Sequence, residues 1–129
     1  MLKIDNLIKI GNTDIKNNLK TFLDLRRDLR NFADFEKSNI LQKFFKTGKG
    51  QYGEGDIFIG VIVPNIRKVS KNNTELSLLE IKKALYSKIH EERLCALFVL
   101  IEKFNKANPS DKKEIFNFYI KNTKQVNNW

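Results

Sequence analysis

The sequence predicts an all-α chain of short, paired helices, and three observations predict it. Apolar residues recur at three- and four-residue spacing along most of the chain. The breaks between these stretches carry Asn, Ser, Pro and Gly, the residues that start and stop helices. No two stretches of alternating apolarity stand ready to pair as strands. At 129 residues the chain can bury one ordinary core, which points to a single domain.

From Asp14 to Ala33, the residues Ile15, Leu19, Phe22, Leu25, Leu29 and Phe32 form one stripe, with Lys16, Lys20, Arg26, Arg27 and Arg30 between them. This is an amphipathic helix. A second is predicted from Phe35 to Lys46, with Leu41, Phe44 and Phe45 as its apolar face and Thr47-Gly48 as its stop. Four of the six glycines then fall between Gly48 and Gly55, marking a loop. The following IFIGVIVP is apolar enough for a buried strand, but it is short, has no comparable partner and contains Gly60, so it reads as an extended connector.

Pro64 suits the first turn of a helix through Lys71, where its missing amide costs nothing, and Asn72-Asn73 ends that helix. Ser77 with Glu80 makes a capping-box pattern, opening a helix in which Leu78, Ile81 and Leu85 share a face. The next helix, Glu91 to Lys106, is apolar almost all round between Leu94 and Ile101 and is predicted to be the central, most covered one. Asn108-Pro109-Ser110-Asp111 stops it and starts another, which turns Ile115, Phe118, Tyr119 and Phe116 towards the core and runs to Asn122. Pro64 to Ser87 and His90 to Asn122 are each a helical pair at the spacing of repeats about 40 residues long. Periodicity alone leaves a plain helical bundle open beside a repeat array. Asn127-Asn128-Trp129 has the look of a cap and the first residue of one more helix.

With 24 Lys and Arg against 15 Asp and Glu, the net charge is +9, which favours a polyanionic partner, nucleic acid first. An anionic membrane surface fits less well, because no basic stretch carries a Trp and Phe face and no apolar run reaches the length of a span. The opening MLKIDNLIKIGNTD is interrupted by Asp5, Asn6 and Lys9, unlike a signal peptide, and a cytoplasmic location is expected.

Gly48, Gly50 and Gly53 spell G-x-G-x-x-G, but a dinucleotide fingerprint needs a strand before it and a helix immediately after it; here a helix precedes, and Glu54 and Asp56 would repel phosphate. One His and one Cys give no metal site, and no cofactor is expected. Cys95, inside LCALFVLI, reads as a buried small hydrophobe. His90 reads as a capping or solvent-facing residue at a helix start, with no nucleophile placed to use it. Glu54, Asp56, Glu91 and Glu92 are carboxylates that could pair as acid and base, though nothing in the sequence pairs them. The glycine loop is bracketed by Lys43, Lys46, Lys49, Arg67, Lys68 and Lys71, either a phosphate-contacting surface or ordinary solvated faces.

The stretch LQKFFKTGKGQYGEGDIFIGVIVPNIRKVSK, Leu41 to Lys71, resembles the signature of the DNA alkylation repair family, alkylpurine DNA glycosylases built of HEAT-like helical repeats. IHEERLCALFVLIEKF and KKEIFNFYIKNTKQVNNW resemble it in order and spacing, so the likeness runs from about Leu19 to Trp129, and residues 1–18 are an amino-terminal extension. The resemblance implies a curved array of helical pairs that holds alkylated duplex DNA on a basic concave face. It also implies hydrolysis of the N-glycosidic bond of cationic N3- or N7-alkylated purines, carried out without a tight base pocket.

By resemblance, Arg67, Lys68 and Lys71 fall on the family's basic helix after the loop and Tyr52 falls in that loop, as candidates for backbone contact or for loop packing, with packing expected for Tyr52; the basic cluster adds Lys46 and Lys49 as backbone contacts, and Gly48, Gly50, Gly53 and Gly55 mark the loop. Trp129 matches a tryptophan that would pack against the sugar or lesion. The family's catalytic aspartate follows that tryptophan; Asp56 and Asp111 match other positions, so no catalytic residue is assigned here. The array is therefore expected to stop at the start of an unfinished repeat, leaving Phe118, Tyr119 and Val126 partly exposed or covered by another copy or a carboxy-terminal part. A helical-repeat scaffold for protein partners is the alternative function.

Overall fold

The computed structural model describes residues 19–45, 48–50 and 54–125. Six α-helices are seen among them: α1 Phe22–Arg30, α2 Phe35–Phe44, α3 Val63–Lys71, α4 Leu78–Leu85, α5 His90–Lys106 and α6 Pro109–Lys121, followed by a 3-10 turn, Thr123–Gln125. The chain is all-α, as the periodicity predicts. The extended connector between α2 and α3 forms one parallel bridge, Ile57 with Ile89, the residue that precedes α5.

The first helix is shorter than its apolar stripe. Thr21 and Asp24 form a reciprocal capping box that fixes the start at Phe22, and Asn31 closes the end. Leu25 and Leu29 are buried, whereas Leu19 and Phe32, beyond the two caps, are exposed. Ile15 lies outside the described residues. In α2, capped by the Asp34 carboxylate, Leu41 and Phe45 turn inward and Phe44 is exposed, so only part of the expected face is used.

The central helix is α5. It packs chiefly on α3 and α4, then on α6 and α1, and buries Cys95, Ala96, Val99 and Leu100. Leu25, Leu29, Ile66, Val69, Leu76, Ile81 and Leu85 close the core around it. Burying each such side chain stabilises the fold by about 1.5–3 kcal/mol. Ile101 is a correction: at 54% exposure it lies on a side of α5 that no described element covers.

The capping pattern at α4 is half realised. The Ser77 hydroxyl accepts from the Glu80 amide, but the Glu80 carboxylate accepts from the amide of Phe22 at 2.8 Å and from Lys83 at 2.9 Å. It thereby ties the start of α1 to α4. Those hydrogen bonds, the Phe22 amide first, hold the Glu80 carboxyl below its usual range.

The connector is held between α2 on one side and α5 on the other. Gly60 has φ 82, and a Cβ there would drive into the Asp34 carbonyl. Beside it, the Asp34 amide donates to the Ile59 carbonyl and the Ser38 hydroxyl to the Phe58 carbonyl. From the other side Glu91, only 1% exposed, accepts from the amides of Ile59 at 3.1 and 3.2 Å, Gly60 at 2.9 Å and Val61 at 3.2 Å. Three successive amides of non-regular backbone find in one carboxylate the partner that a sheet would otherwise supply.

Candidate nucleic-acid interface

The core pattern of α3 decides where its cations lie. Ile66, Val69 and Ser70 are buried, which leaves Arg67, Lys68 and Lys71 exposed on the opposite face. Lys68 and Lys71 sit in the last turn, where positive charge complements the helix dipole. Arg67 is the most constrained of the three. Its guanidinium carbon stands 4.1 Å from the centre of the Phe98 ring, so a cation–π contact from α5 restrains the group. A guanidinium held over a ring face can still offer N–H groups to a phosphate.

The loop is described in part. Gly48, Lys49 and Gly50 are exposed; Gly50 and Gly55 have φ of 79 and 83, and the Gly50 amide donates to Glu54 at 2.9 Å. Lys46, Tyr52 and Gly53 lie outside the described residues, as do Val126 and Trp129. The structure thus brings Arg67, Lys68 and Lys71 onto one helix, and Lys49 onto the loop that leads to it.

The acidic residues behave otherwise than as an acid–base pair. Asp56 is buried, its carboxylate 3.1 Å from His90 Nδ1 and 2.9 Å from Arg93. Glu92, at 0% exposure, receives two bonds from Arg26 at 2.7 and 3.0 Å and one from the Ser87 hydroxyl at 2.6 Å. Glu91 holds the connector. These three carboxylates fasten elements together. His90 is a further correction: rather than capping the helix or facing solvent, it is buried and stacked 4.5 Å from Phe58, with Phe45 at 5.3 Å. Ile89 takes the cap position, so the imidazole is drawn into the aromatic cluster. Only the ordinary preference for acids in a helix's first turn hints at Glu91 and Glu92; no sequence signal points to the ring stack.

Among the described residues, two apolar cavities lie beside α5. One, of about 370 Å³, lies between α2, the connector and α5, and is walled by Leu41, Phe45, Phe58, Val61, Leu94 and Phe98. The other, of about 410 Å³, runs between α5 and α6 and is lined by Leu97, Ile101, Phe104, Phe116 and Tyr119. Phe116 and Tyr119 are 53% and 38% exposed, so of the residues expected inside on α6 only Ile115 is fully buried and Phe118 partly so.

Cys95 is buried, as its surroundings predict, and burial pushes its thiol pKa strongly up. Among the described residues no group of three or more metal-ligating side chains occurs, and no helix is long and apolar enough to cross a membrane.

Helices packed around one largely buried helix, with exposed cations on its neighbour, define the class: an all-α protein. The chain belongs to the DNA alkylation repair enzyme family, whose model matches residues 25–129. No curated protein and no solved structure matches it.

Proposed function

We propose that this chain binds duplex DNA containing alkylated purines through the face of α3 that carries Arg67, Lys68 and Lys71, with Lys49 on the adjoining loop. Family membership supports the DNA partner, and the observation that carries the surface is the Arg67 guanidinium fixed on Phe98 beside two exposed lysines. We further propose that residues 1–129 by themselves bind DNA without excising a base. What supports this is the state of the buried carboxylates: Asp56, Glu91 and Glu92 are each engaged by cations or backbone amides. Hydrolysis of a glycosidic bond needs a carboxylate facing the sugar, to stabilise the positive charge that develops there.

Replacing Arg67, Lys68 and Lys71 together by Ala tests the surface. If each neutralises one phosphate, the slope of log affinity against log salt becomes shallower by about 2.7. An unchanged slope, with the fold intact by circular dichroism, would remove α3 from the interface.

A second reading, a protein-interaction scaffold, is favoured by the apolar groove of Ile101, Phe104, Phe116 and Tyr119. The occupant this reading puts to the test is a second copy of the chain. Sedimentation velocity decides it: a dimer that Ile101→Glu converts to monomer supports the reading, and a parent chain that stays monomeric at high concentration rejects it.

A further inference from the structure

We infer that Phe98 is a positioning residue for DNA binding: its ring presets the Arg67 guanidinium for two-point contact with one backbone phosphate. The inference rests on the DNA-binding reading and deepens it, by separating the charge that attracts a duplex from the geometry that fixes one of its phosphates.

The partner of Arg67 sets it apart. Arg26 pairs with Glu92 at 2.7 and 3.0 Å, Arg27 with Asp24 at 3.0 Å and Asp28 at 3.3 Å, and Arg93 with Asp56 at 2.9 Å. Exposed Arg67 instead lies over a ring, its guanidinium carbon 4.1 Å from the centre of Phe98. A carboxylate takes the N–H donors of a guanidinium, the same donors that a phosphate needs, whereas a ring lies against the face of the group.

The ring is a firm support. Phe98 stands at the midpoint of α5, is packed against the core cluster and is followed by the buried Val99 and Leu100. A free arginine gives up rotamer freedom when a phosphate fixes it. One already restrained gives up less, so more of its attraction appears as affinity. Lys68 and Lys71, exposed in the last turn of α3, carry charge without a planar fork. They act as point charges, and their contribution is independent of Phe98.

The test is a set of double-mutant cycles on the whole chain, read by anisotropy titration of a duplex over a range of salt concentrations. Phe98→Leu removes the ring and keeps every charge. Affinity is expected to fall about three-fold, with the slope of log affinity against log salt unchanged. Arg67→Ala is expected to weaken binding and to make that slope shallower by about 0.9. Added to Arg67→Ala, Phe98→Leu is expected to change nothing further; added to Lys71→Ala, it keeps its full effect. Replacing Phe98 by pentafluorophenylalanine keeps nearly the same shape but inverts the ring quadrupole, so binding is expected to weaken as with Leu, whereas Phe98→Tyr retains the parent affinity. Circular dichroism and thermal melting establish the fold of each variant, and the pentafluoro variant decides the matter if Leu at this position unfolds the chain. Parent affinity in the Leu or pentafluoro variant, or an effect of Phe98→Leu that persists without Arg67, overturns the positioning role while DNA binding stands. If the parent chain itself fails to bind duplex at low salt, the DNA-binding reading fails.

Discussion

Glu91 gives the sharpest test of how this fold is held together. Its carboxylate takes the amides of Ile59, Gly60 and Val61, all at 2.9–3.2 Å, in a place where the residue is 1% exposed. In Glu91→Gln the side-chain oxygen can keep those bonds, but each falls from charge-assisted to neutral, a loss of about 1 kcal/mol per amide. Against this, a buried charge no longer has to be desolvated, which offsets part of the loss and leaves a net cost of about 2 kcal/mol. Glu91→Ala strands three amides at about 1–3 kcal/mol each, for a cost of about 4 kcal/mol or more. At this chain length 1 kcal/mol corresponds to roughly 4 °C in Tm, so the two variants should melt about 8 and 16 °C below the parent. Urea unfolding followed by circular dichroism gives the free energies, and hydrogen exchange shows whether amides 59–61 lose protection. A Gln variant within about 0.5 kcal/mol of the parent, with those amides still protected, would refute the role given to Glu91.

Two further outcomes follow from the packing. Cys95 is buried and its thiol pKa is raised, so Ellman's reagent should modify it only as fast as the chain unfolds and at once in denaturant; rapid reaction in the native state would mean that the core around α5 is open. The folded-state pKa of Glu80 is depressed by the Phe22 amide and Lys83, so its contribution is complete above the ordinary glutamate value of about 4.3 and is lost as pH falls through the lower folded value. Glu80→Gln should therefore flatten the decline of stability between about pH 5 and pH 3, and an unchanged acid limb would show that the link between α1 and α4 carries no such weight.

The helices were legible because local chemistry sets them. The connector was legible as extended because Gly60 and the lack of a partner argued against a strand, and Cys95 as buried because every neighbour in its run is apolar. Where the reading went astray, distant contacts decided. Glu80 turned from its own cap to the Phe22 amide 58 positions away, and His90 turned from a helix start into the rings of Phe45 and Phe58. Ile101, Phe116 and Tyr119 carry the periodicity of core residues yet face a groove that no described element fills, because periodicity marks an apolar face but not what covers it. The cations of α3 were visible in the sequence as a cluster; the pinning of Arg67 by Phe98 was not, since it joins residues on two helices.

In the proposed function this member of the DNA alkylation repair enzyme family binds DNA, while Asp56, Glu91 and Glu92 are held by structural partners. The most direct test is an anisotropy titration of a duplex containing 7-alkylguanine at two salt concentrations, with free base assayed in the same samples. Binding that weakens steeply with salt, together with no released base, is the predicted result. Release of free base would contradict the reading of the carboxylates, and absence of binding at low salt would contradict the DNA-binding surface itself.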